Sequence, residues 1–61
     1  MEDTYEELGT IMGKLDAATI ILENMILNGK NEKANRYLRE ANLEIQHALS
    51  DLSDALFEVT T

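Results

Sequence analysis

The sequence contains no cysteine, no proline and no tryptophan, only three glycines, and one histidine in 61 residues. Without cysteine no disulfide framework can staple so short a chain, and nothing asks for an oxidising compartment. His47 is the sole Cys or His, which excludes a zinc finger. Without proline, long stretches carry no residue that would break a helix. β-branched residues nowhere alternate with polar ones over a useful length, so no strand is predicted. Cations are scarce as well: five Lys and Arg stand against twelve Asp and Glu, a formal net charge of −7. Direct nucleic-acid binding needs cations to neutralise phosphates, and that balance is wrong here. Met1 is followed by Glu2, Asp3, Glu6 and Glu7, the opposite of a basic secretory n-region. The apolar run at 17–27 is too short for a bilayer and contains Glu23. The expectation is a soluble, cytoplasmic protein that makes no membrane contact.

What is present is helical periodicity. Thr4 followed by Glu7 has capping-box spacing, with Asp3 as an alternative cap. From there Leu8, Ile11/Met12, Leu15, Ala18, Leu22 and Met25/Ile26 recur at steps of three and four, predicting a helix over about 4–28. Asn28-Gly29-Lys30-Asn31 ends it: Gly29 suits a left-handed residue past a helix end, and Asn31 suits the next cap. A second helix, over about 32–59, shows Ala34, Leu38, Ala41, Ile45, Ala48/Leu49, Leu52, Ala55/Leu56 and Val59. So short a connection makes the helices antiparallel neighbours in a single domain, 1–61.

In heptad notation Leu38, Ile45, Leu52 and Val59 take position a of helix 2, and Ala34, Ala41, Ala48 and Ala55 take d, which favours close helix approach. In helix 1 Leu8, Leu15 and Leu22 fall at a and Ile11, Ala18 and Met25 at d, with Met12 and Ile26 flanking. The expected seam of the hairpin is therefore Leu8, Leu15 and Leu22 against Leu38, Ala41, Ile45, Ala48, Leu52 and Ala55. Left over on helix 1 is a second stripe of Gly9, Gly13, Ala17, Ile20, Ile21, Asn24 and Leu27. Small residues at four-residue steps allow close helix contact, and a contiguous aliphatic patch is uncommon on a monomer. A chain near the lower size limit for a lone core gains most from such a surface by self-association. The predicted architecture is all-α: an antiparallel helical hairpin dimerising into a four-helix bundle, helix 1 central.

Charge is uneven along this hairpin. Residues 1–16 and 44–61 carry nine acids and one base, whereas 17–43 carry three acids and four bases, Lys30, Lys33, Arg36 and Arg39. The ends that meet at the termini are acidic and the turn is mildly basic. An antiparallel dimer would set unlike ends together, although Glu32, Arg36 and Glu40 also have the spacing of local pairs on a solvated face.

No constellation points to catalysis. Glu44 and His47 have Glu-x-x-His spacing, used inside di-iron bundles, but they fall on the flank and outer side of helix 2, and Asp16 and Glu23 on helix 1 point away as well. One histidine with Ser50 and Ser53 on the same helix offers no oriented triad. Gly9 and Gly13 lack the strand and lysine of a phosphate loop. The expectation is a non-enzyme with no metal and no cofactor: a small acidic homodimeric regulator or inhibitor acting by protein–protein contact, of a size common among phage and mobile-element regulators. Tyr37, Leu43 and Phe57, apolar residues outside the seam of helix 2, are candidate anchors for a second protein. An alternative is an acidic nucleic-acid mimic that fills the basic groove of a DNA- or RNA-binding protein, using Glu2, Asp3, Glu6, Glu7, Asp51, Asp54 and Glu58. A further alternative is a structural subunit of a larger helical assembly.

Overall fold

The computed structural model describes the backbone of residues 2–61 and the side chains of residues 3–61; the Glu2 side chain, one of the acidic candidates, lies outside the described residues. Two helices, α1 (Glu2–Asn28) and α2 (Glu32–Thr60), make up the fold, with no strand among the described residues. The longest dimension is 45 Å, close to the length of α2 alone, about 44 Å at 1.5 Å per residue. The helices therefore lie side by side as an antiparallel hairpin. No helix is long and apolar enough to cross a membrane among the described residues.

α1 begins earlier than its capping signal implies. Asp3 and Thr4 are already within the helix rather than at its cap. The acids Asp3, Glu6 and Glu7 in its first turns complement the positive end of the helix dipole, and no residue there opposes the helical backbone.

The turn is built on two asparagines and a glycine. Asn31 is extended (φ −92, ψ 102) and its side chain accepts a hydrogen bond from the Ala34 amide at 3.0 Å, which caps α2. The Asn35 amide closes the first turn on the Asn31 carbonyl at 2.9 Å. The Asn35 side chain, 7% exposed, then donates through Nδ2 to the carbonyls of Ile26 (3.3 Å) and Gly29 (3.2 Å). It thereby satisfies acceptors that the end of α1 leaves open. Gly29 does not adopt the left-handed conformation expected of it, since no glycine has positive φ. Its role is spatial: a Cβ there would lie 2.7 Å from Asn35 Oδ1 and 2.8 Å from the Met25 carbonyl oxygen.

Along the seam α1 contributes Leu8, Met12, Leu15, Ala18, Leu22 and Ile26, all half-buried, with Thr19 buried. α2 contributes Leu38, Ala41, Asn42, Ile45, Ala48, Leu49, Leu52, Ala55 and Leu56, half-buried, with Asn35 buried. Met12 and Ile26 thus face inward, whereas Ile11 and Met25, expected at d, are 45% and 49% exposed. The reason is the side of Leu8 on which the seam falls. Met12 lies about 40° from Leu8 around the helix and Ile11 about 60° away on the opposite side, so Leu8, Leu15 and Leu22 share the seam with Met12, Thr19 and Ile26. Ala34 is likewise exposed, and its neighbour Asn35 takes the inward place at the turn.

One level of the seam is polar. The Ile26–Asn35 pairing at the turn sets the register, and seven residues further along each helix lie Thr19 and Asn42. The Thr19 hydroxyl donates back to the Asp16 carbonyl at 2.6 Å, while Asn42 Oδ1 is shut off from solvent without a hydrogen-bond partner. No apolar side chain of the described residues is fully buried. A two-helix layer leaves every apolar seam residue partly open at its edges.

Candidate association surface

The face of α1 turned away from α2 carries Gly9, Gly13, Ala17, Ile20, Ile21, Asn24 and Leu27, every one of them exposed. Ile20 is 56%, Ile21 59% and Leu27 81% exposed. Helical geometry makes this unavoidable: Ile20 and Ile21 are neighbours about 100° apart, so with Leu22 inside the seam at least one must point outward. Ile11 and Met25 extend the apolar margin of this face. They are the residues that heptad notation placed at d, and the seven-residue repeat of Met12, Thr19 and Ile26 takes that place in the seam.

The overall dimensions are those of an elongated two-helix layer, which has no compact core. The chain exposes 4923 Å², whereas a compact monomer of this mass exposes about 4,000 Å². Its radius of gyration is 14.2 Å, against about 10.5 Å for a compact fold of this length. Gly9 and Gly13 are open: a Cβ at either would meet nothing within 4 Å. The hairpin itself does not require a glycine at these positions, and each costs about 1 kcal/mol relative to alanine inside a helix.

The anchors on α2 do not converge. Tyr37, Leu43 and Phe57 are all exposed, but they lie about 9 and 21 Å apart along the axis. The acids Asp3, Glu6 and Glu7 of α1 and Asp51, Asp54 and Glu58 of α2 are exposed at the end of the hairpin opposite the turn. A shallow depression of about 500 Å³ there is lined by Asp3, Glu6, Glu7, Thr10 and Ile11. All five residues belong to α1, so it is an open helix flank rather than an enclosing pocket. Glu44, His47, Asp16 and Glu23 are exposed too, and among the described residues no three side chains of metal-ligating type come together.

No family model matches the chain, and neither a curated protein nor a solved structure matches it.

Proposed function

We propose that the protein is a non-catalytic association module, a homodimer that works by protein–protein contact as a regulator or inhibitor. The outer face of α1 docks on a second copy, and two hairpins form a four-helix bundle with the α1 helices at its centre. The observation that carries this reading is the exposure of Ile20, Ile21 and Leu27 on a hairpin with no fully buried apolar side chain among its described residues. Burying these three side chains contributes on the order of 5 to 8 kcal/mol per protomer before entropy costs. For a domain of marginal size that term decides how much of the chain is folded at a given concentration.

Sedimentation equilibrium of the parent and of Ile20→Lys tests the proposal. The parent is expected at twice the chain mass at micromolar concentration and Ile20→Lys at one chain mass, with lower helicity on dilution. A parent that sediments as a single well-folded chain overturns it.

The acid-rich end supports a second reading, an acidic mimic that occupies a basic groove. Six exposed carboxylates share that end of the hairpin, and attraction of this kind is long-ranged and steeply salt-dependent. Capture of a partner at low salt that is lost at moderate salt supports the mimic; capture that survives salt but fails in Phe57→Ala or Leu43→Ala supports anchor recognition.

A further inference from the structure

The outer face of α1 is graded along its length. Toward the N-terminus it carries Gly9 and Gly13, beside which space is open to 4 Å; toward the turn it carries Ile20, Ile21 and Leu27, each more than half exposed. Ala17 lies between the two halves. Packed helices keep an even spacing when bulky side chains of one meet small residues of the other. Parallel pairing of two such faces would set glycine on glycine and isoleucine on isoleucine, forcing the axes to splay toward the turn. Antiparallel pairing about Ala17 sets Gly13 level with Ile21 and Gly9 level with Met25, each pair being equidistant from Ala17 along the helix. Large meets small at both pairs.

Charge selects the same orientation independently. The segment 17–43 carries a net +1 and the remainder −8. Antiparallel pairing about Ala17 brings Asp3, Glu6 and Glu7 beside the turn of the other copy, where Lys30 and Lys33 are exposed; parallel pairing stacks two acidic ends. Screening limits this to contacts within about 8 Å, a range that side-by-side helices satisfy.

We infer that a second copy of the chain covers this face in antiparallel orientation, related by a two-fold axis that passes beside Ala17. The inference rests on the association proposed above and adds its direction and register. A two-fold contact is isologous, so the same patch serves both copies and the assembly closes at two.

The absence of cysteine makes the register directly readable. Thr10, Ala17 and Asn24 are exposed and seven residues apart, so they form one line on this face. The variants Thr10→Cys, Ala17→Cys and Asn24→Cys are oxidised singly, and Thr10→Cys is also mixed with a mass-tagged Asn24→Cys; products are resolved on a non-reducing gel, with helicity checked by circular dichroism. Ala17→Cys is expected to give a disulfide-linked pair, and the Thr10→Cys/Asn24→Cys mixture a mixed pair. Thr10→Cys or Asn24→Cys alone is expected to cross-link at least about tenfold more slowly, since its two copies stand about 21 Å apart along the axis, far beyond disulfide reach. Self-linked Thr10→Cys and Asn24→Cys without the mixed product would show parallel pairing and overturn the inference while leaving the association intact. A dimeric parent with no cross-link in any helical variant would overturn it also, by placing the contact on another face. A parent that sediments as one chain removes the association itself.

Discussion

α1 and α2 are nearly equal in length, 27 and 29 residues, and each faces only the other, yet they use their circumference differently. α2 gathers its aliphatic residues into one half-buried stripe and leaves Tyr37, Leu43, Phe57 and Val59 as separated exposed positions. Single exposed apolar residues of this kind are ordinary on protein surfaces. α1 gives up one stripe to the seam and carries a second on its far side, with Ile20 and Ile21 adjacent and Leu27 two turns on. One helix is suited to one neighbour and the other to two. The contrast is why the proposed interaction surface is placed on α1: it follows from which side chains the hairpin fails to cover.

The strongest way to break this contrast is to place equal charge on both helices. Ile20→Lys with Ile21→Lys is expected to weaken self-association by at least about a thousandfold, roughly 4 kcal/mol, read by sedimentation. Tyr37→Lys with Leu43→Lys on α2 is expected to leave the mass unchanged. Equal losses from both pairs would erase the distinction between the helices.

A smaller effect is expected at the turn, where the helices depend on each other. Asn35→Leu removes both hydrogen bonds to the Ile26 and Gly29 carbonyls and leaves those acceptors unpaired, a loss of about 2 kcal/mol in urea unfolding. A loss below about 0.5 kcal/mol would show that water replaces the side chain without penalty.

The glycines sharpen the comparison at the finest scale. Gly29→Ala is expected to destabilise by about 1 to 2 kcal/mol, because its methyl meets the Met25 carbonyl oxygen, which is fixed backbone. Gly13→Ala is expected to raise helix stability by about 1 kcal/mol in dilute protein and to forfeit that gain at high concentration, where the methyl intrudes on the second copy. Melting temperatures at two protein concentrations distinguish these outcomes. A gain that persists in concentrated protein would mean that nothing packs against Gly13.

The two helices and the turn between them were legible because their signals agree: three- and four-residue apolar steps, an Asn at the cap of α2, and no residue that opposes either. The exposed stripe was legible by subtraction, since Gly9, Gly13, Ala17, Ile20 and Leu27 had no place in the seam. The assignment failed at Ile11 and Met25, since Met12, Thr19 and Ile26 repeat with the same seven-residue step and the apolar pattern alone does not say which side of Leu8, Leu15 and Leu22 faces α2. The turn chemistry was legible only in part. Asn31 carries a familiar capping signature, but the contribution of Asn35 depends on where α2 lies relative to the end of α1, which no local pattern encodes. The same holds for Gly29, whose neighbours are brought to it by tertiary placement and not by its own backbone angles.

The tie that Asn35 makes across the turn also bears on the order in which the chain assembles. A three-residue connection closes fast, and contacts between residues near in sequence form before distant ones. The seam therefore zips from Ile26 and Leu38 outward, reaching Leu8 and Leu56 last. At the extremity opposite the turn, backbone amides are expected to exchange with heavy water ahead of those in the middle of each helix. On that expectation the acids of that extremity lie where the seam closes last, while the isoleucines of α1 stand nearer the Asn35 tie.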